Sequence, residues 1–275
     1  MIEYLPAIAL LLTLGCLGGF LAGLLGIGGG AVLVPGLYYL LKHFGYSEIA
    51  MHVAVGTSLA TIIFTGISSA LAHHKKGAVD IPMLKNFLPG VLIGVGIGTY
   101  LADILPTQGL KIIFAGSQLA FGSYMILRTN KTNLVDRLPR QPFLSIFAAA
   151  NAGLATLMGV GGGVQNVTFM TICNVPIHRA IATAAAIGPF IAAIGTVGFI
   201  WIGLNNTNLP PYSIGYINLA AFLTIITTSI VFAPLGAKAA HALPVPTLKK
   251  AFAIFMLLIA AKMLLEIFAD YSLIG

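Results

Sequence analysis

The sequence predicts an all-α integral membrane protein made of two homologous halves arranged as an inverted repeat. Three observations predict it. Hydrophobic residues make up 58% of the 275 residues and charged residues 8%, whereas a soluble domain carries about 25% charged residues. Apolar stretches of roughly 20 residues, enough to cross a bilayer core as a helix, recur along the whole chain. Two glycine clusters, Gly26-Ile27-Gly28-Gly29-Gly30 and Gly159-Val160-Gly161-Gly162-Gly163, interrupt apolar runs at matching places in the two halves.

The first set of apolar segments falls at 5–25, 31–42, 52–72, 84–103 and 109–128, the second at 143–160, 164–175, 179–204, 213–237 and 247–269. Between them, Arg128 to Gln141 is polar and carries four basic residues. The chain therefore divides into a first transmembrane repeat at 1–130, a cytoplasmic linker at 131–141 and a second repeat at 142–275. The opening Met-Ile-Glu-Tyr lacks a basic leader, so the first apolar segment is read as retained.

The halves share residues as well as hydropathy. His52-Val53-Ala54-Val55-Gly56-Thr57 resembles His178-Arg179-Ala180-Ile181-Ala182-Thr183. Gly77-Ala78-Val79-Asp80-Ile81 resembles Gly215-Tyr216-Ile217-Asn218-Leu219. Leu105-Pro106, Leu110-Lys111 and Phe114 are echoed by Leu243-Pro244, Leu248-Lys249 and Phe252. The preserved order argues for internal duplication.

Charge sets the orientation. With an odd number of embedded segments per half, eleven of the fourteen Lys and Arg residues fall on the cytoplasmic side, and Lys42, Lys111 and Lys262 are the exceptions. An even count would put Lys238, Lys249 and Lys250 outside, against the positive-inside bias. The same bias accounts for the net charge of +7 without a nucleic-acid partner. A twelve-residue second segment rises only about 18 Å and cannot cross alone. Each half is thus expected to be a glycine-tipped short-helix hairpin plus about three full spans.

At each tip the chain leaves one helix and starts another, whose unpaired N–H groups and positive dipole end suit an anion. Glycines remove side-chain bulk there. The substrate-binding candidates are Gly28, Gly29, Gly30, Gly161, Gly162 and Gly163, with Gln165 and Asn166 after the second triplet. Thr57, Ser58 and Thr183 are added as hydroxyl donors. Ala31, Val32 and Val34 stand at the first tip, so the site is expected to be asymmetric. His52 and His178 are equivalent by repeat and, as the residue type that serves as the physiological-pH switch, are candidates for proton coupling. Lys262 lies one turn from Glu266 and within reach of it. Cys16 and Cys173 read as buried, inert thiols.

No Gly-x-Ser-x-Gly elbow, His-Glu-x-x-His or Gly-Lys-[Ser/Thr] motif occurs. No catalytic residue, cofactor or metal site is expected.

Gly-Ile-Gly-Gly-Gly-Ala-Val-Leu-Val-Pro at 26–35 and His-Val-Ala-Val-Gly-Thr-Ser at 52–58 resemble the sulfite exporter TauE/SafE family of membrane transporters. Residues 159–163 and 178–183 resemble the same pattern in that family's second half. The resemblance covers nearly the whole chain. It implies transport of sulfite or an organosulfonate, in some members coupled to an ion. The second copy departs from the pattern, with Gln165, Asn166 and Thr168 where apolar residues and a proline are usual.

The expected function is secondary transport of a small sulfur-containing oxyanion held at the midplane by the glycine-tip N-termini. An anion channel, or a non-transporting membrane scaffold subunit, is the alternative. The expected partners are the anion, the lipid bilayer and a coupling proton or sodium ion. Oligomeric state is left open. The expected location is the cell inner membrane, as a multi-pass protein.

Overall fold

A computed structural model describes residues 5–26, 28–127, 137–242 and 245–272. Ile27, most of the charged linker and the Leu243-Pro244 echo lie outside them. Five helices precede the linker: α1 (Leu5–Leu25), α2 (Gly30–His43), α3 (Ala50–His74), α4 (Ile81–Ile104) and α5 (Thr107–Leu127). Five follow it: α6 (Phe143–Met158), α7 (Gly163–Ile172), α8 (Ile177–Gly203), α9 (Leu219–Ala242) and α10 (Val245–Ser272). Among the described residues, seven helices are long and apolar enough to cross a membrane. The chain is a multi-pass helical membrane protein.

The sequence expectation needs adjusting in two places. The helix expected from residue 213 starts only at Leu219, because a two-stranded hairpin intervenes. Its strands β1 (Ser213–Ile214) and β2 (Ile217–Asn218) pair antiparallel, Ser213 opposite Asn218. The turn between them holds Gly215 at φ 53°, a conformation that ends helical geometry. The first hairpin is also not built from two short helices. α1 has 21 residues, enough to cross, whereas α2, α6 and α7 have 14, 16 and 10. At 1.5 Å per residue, α2 rises only about 21 Å.

The helix starts repeat between the halves. Asp80 Oδ1 accepts from the Met83 N–H at 3.0 Å to open α4. Asn218 Oδ1 accepts from the Ala221 N–H at 2.9 Å to open α9. Such caps satisfy donors that a helix leaves free. Each cap is then gripped by the other half. The Asp80 N–H donates to Thr183 Oγ1 at 3.1 Å, and the Asn218 N–H donates to Thr57 Oγ1 at 2.9 Å.

Packing follows the same exchange. α1 lies on α9 and α6 on α4, while α3 meets α8 and α5 meets α10. Swapping the halves interchanges the first two contacts and maps the other two onto themselves. Gly15, Gly19 and Gly23 face Ile225, Ser229 and Ala233, and Gly90, Gly94 and Gly98 face Ser145, Ala149 and Gly153. Glycines at this spacing share one helix face and let backbones approach closely. Away from this contact α4 exposes Leu92, Ile93 and Ile97, an apolar surface suited to lipid.

Chain direction follows from these contacts. α1 and α9 run parallel, as do α4 and α6. The equivalent helices α3 and α8 run antiparallel, with Gly56 at Phe199 and Gly66 at Pro189. α5 and α10 are also antiparallel, with Lys111 at Glu266 and Gly122 at Leu257. The start of α1 and the end of α10 therefore share one end of the bundle. The end of α5 and the start of α6 share the other.

Candidate functional site

The two glycine tips meet at the centre of the bundle. A Cβ placed on Gly28 would lie 3.3 Å from the Gly161 nitrogen and 3.1 Å from Ile62 Cγ2. One placed on Gly161 would lie 3.2 Å from Gly188 Cα and 3.5 Å from Ile62 Cγ2. Ile62 and Gly188 occupy equivalent positions in the two halves, and both touch this contact. The flanking contacts obey the same rule. Gly26 abuts the Ile181 carbonyl and Gly159 abuts Val55, and Val55 and Ile181 are repeat partners.

Gly29 and Gly162 occupy the N-cap positions of α2 and α7 with φ of 79° and 67°. This left-handed conformation favours glycine. Neither helix has a side-chain cap. The first N–H groups of each have no partner within their own helix and present its positive dipole end. The two helices leave the centre in opposite directions. α2 ends with Lys42 bonded to Glu266 of α10. α7 runs toward the start of α6, where Phe169 stacks on Phe147 at 3.6 Å. Both positive ends therefore point toward the same central contact.

The polar candidates fall into different environments. Ser58 Oγ donates to the Gly159 carbonyl at 2.7 Å and ties α3 to the second tip. Thr57 and Thr183 use their oxygens on the caps described above. Gln165 is buried, with Nε2 3.8 Å from Met158 Sδ. Asn166 Oδ1 accepts from Asn151 Nδ2 at 2.8 Å. The other halves of these amides, Asn166 Nδ2 and Asn151 Oδ1, are buried without a partner among the described residues. Asn166 is 1% exposed and Asn151 7%. An orphaned buried donor and acceptor are costly, and here they lie beside the Gly162 N-cap.

Asn151 and Gln118 were missed from the sequence. Gln118 is buried on α5 and donates to the Ala31 carbonyl at the first turn of α2, 3.3 Å away. Each is a lone amide inside an apolar segment, which was the available signal.

The two histidines diverge. His52 is buried, with Nε2 3.1 Å from both the Ala102 and Leu105 carbonyls and Nδ1 3.3 Å from Thr107 Oγ1. Carbonyls only accept, so Nε2 carries a proton, and the ring fastens α3 to the α4–α5 turn. His178 is exposed. Glu266 departs from the pairing expected with Lys262. It receives Lys42 and Lys111 instead, while Lys262 lies 3.9 Å over the Tyr39 ring. Cys16 and Cys173 are free thiols, and Cys173 is buried. Among the described residues no group of three or more His, Cys, Asp or Glu side chains could hold a metal ion.

A many-span bundle whose two halves each break a helix at one central point has the architecture of a membrane transporter. The sequence pattern of the family described as Sulfite exporter TauE/SafE matches residues 11–263, and the chain belongs to that family. It is 39% identical over 261 residues to a probable membrane transporter protein of Haemophilus influenzae, covering 94% of this chain and 98% of that one. A probable membrane transporter protein of Methanocaldococcus jannaschii is 27% identical, covering 86% and 87% of the two chains. Another, from Bacillus subtilis, is 26% identical over 85% and 90%. No solved structure matches the chain.

Proposed function

We propose that the protein is a secondary transporter that moves a small sulfur-containing oxyanion, sulfite or an organosulfonate, across the inner membrane. One observation carries this reading: two uncapped helix N-termini converge on the Gly28–Gly161 contact. Helix N-termini stabilise anions without placing a buried Lys or Arg at the site. The Asn166 amide adds an N–H donor that no group among the described residues uses, and Gln165 adds a second amide one residue away. Sulfite is favoured among oxyanions by the family's description.

The antiparallel course of equivalent helices supports an inverted repeat in the membrane. The two hairpins then reach the midplane from opposite sides, and rocking of one half on the other alternates access. The test is flux into proteoliposomes under imposed proton and sodium gradients. Uphill movement of sulfite or methanesulfonate is expected, and the gradient that drives it identifies the coupling ion. Strictly downhill flux, insensitive to both gradients, would make the protein an anion channel instead.

A further inference from the structure

Lys42, Lys111 and Lys262 are the three basic residues that escape the charge bias of the chain. In the fold Lys42 and Lys111 meet one carboxylate, and Lys262 lies over the neighbouring Tyr39 ring. Tyr38 and Lys42 lie one turn apart on α2, Lys111 lies in the second turn of α5, and Lys262 and Glu266 lie one turn apart on α10. The Tyr38 hydroxyl donates to Glu266 Oε1 at 3.2 Å. Lys111 Nζ lies 3.3 Å from the same atom, and Lys42 Nζ donates to it as well.

Fastening α10 to α2 and α5 needs one donor from each, and Tyr38 is a third on the same oxygen. Two ammonium groups and a phenol converging on a single oxygen give the donor set of an oxyanion site, built from charge-assisted bonds. A buried ammonium among apolar helices is expensive, so its presence calls for a function. Side-chain exposure is 1% at Lys111 and 40% at Lys42. The arrangement is thus closed at its floor and open at one lip.

We propose that Tyr38, Lys42 and Lys111 form a second small-oxyanion site, which Glu266 fills as a tethered occupant in this conformation. A free anion of carboxylate, sulfite or sulfonate size takes the site once the Glu266 carboxylate is absent from it. The site lies at the opposite end of α2 from Gly30. At 1.5 Å per residue, Tyr38 and Lys42 lie about 12 and 18 Å along α2 from Gly30, too far for one small anion to reach both sites. The inference stands independently of what crosses at the glycine tips.

Chemical rescue in nanodiscs tests it. Glu266→Ala vacates the space of a short carboxylate. Its melting temperature should fall, and acetate or methanesulfonate should restore it saturably. Adding Lys111→Met should abolish the response. Adding Gly161→Ala should leave it intact, which separates this site from the tips. Should Glu266→Ala fail to fold, Glu266→Ser also removes the carboxylate and leaves its space open. Calorimetry should then detect methanesulfonate binding at least about tenfold tighter than in the unaltered protein, lost again with Lys42→Met. Folded variants without an anion response, or with a response that survives both lysine substitutions, would overturn the proposal.

Discussion

Asn151 and Asn166 stand where the first half has Gly18 and Leu33, which pack together with a Gly18 Cβ position 3.1 Å from Leu33 Cδ2. The second half has thus replaced an apolar contact by two half-satisfied amides. Replacing both amides together should remove the orphans without breaking a bond to any third group. The double variant Asn151→Leu/Asn166→Leu should fold, yet bind oxyanion at least about tenfold more weakly, from the loss of a bond to a charged ligand. Asn151→Leu alone leaves the Asn166 amide wholly unpaired and should lower stability by about 1–3 kcal/mol. Thermal melts and sulfite titration separate the two effects, and unchanged affinity in the double variant would remove the amides from the site. Glycine substitutions also differ by position. At Gly29 a Cβ would sit 2.6 Å from the Gly18 carbonyl oxygen in a left-handed conformation, so Gly29→Ala should cost folded yield. Gly161 has no positive φ and its nearest neighbour would be 3.2 Å away. Gly161→Ala should therefore fold and still slow flux, because it narrows the point where the tips meet. Gln165 and Asn166 were legible because they follow a glycine triplet directly. Asn151 was not, because its relevance arises only when the hairpin folds back and pairs it with a residue 15 positions on.

At the scale of helices, the joint between the halves rests on glycine faces. Gly90, Gly94 and Gly98 bring α4 onto α6 so closely that a Cβ on Gly94 would lie 2.7 Å from Ala149 Cα. Gly96, two residues away on the same helix, has nothing within 4 Å of its Cβ position. Gly94→Leu must push two backbones apart and should cost on the order of 3 kcal/mol or more, whereas Gly96→Leu should be silent. The recovery of monodisperse protein after detergent extraction distinguishes them, and equal behaviour would mean that the glycine face is dispensable. The helices themselves were legible, since hydropathy alone located every apolar segment within a few residues. The β1–β2 hairpin was not. Ile214 and Ile217 carry the apolar segment on past its true boundary, so hydropathy cannot mark where the helix begins. The Asn218 cap can, and its likeness to Asp80 was already visible in the repeat.

Across the whole molecule, the duplication was legible in the order of weak matches, but the meeting of the tips was not. That contact depends on α3 and α8 packing so that Ile62 and Gly188 both reach the tips, a product of packing that no segment encodes alone. The fold gathers loop charges at one end. Lys75, Lys76, Arg140 and Arg179 lie at the end of the bundle where α3 finishes and α6 and α8 begin. The loop after α8, with Asn205, Asn206 and Asn208, lies at the other end, beside the start of α3. Positively charged loops are retained in the cytoplasm, so the termini and the asparagine loop should face outward. Lys76→Cys and Thr207→Cys test this, each made with Cys16 and Cys173 replaced by alanine. Both positions are exposed. An impermeant maleimide added to intact cells should label Thr207→Cys at once, and Lys76→Cys only after the membrane is opened. Labelling of both from the same side would contradict the antiparallel course of α3 and α8, because the two loops lie at opposite ends of those helices. The inverted repeat, and the alternating access built on it, would then have to be abandoned.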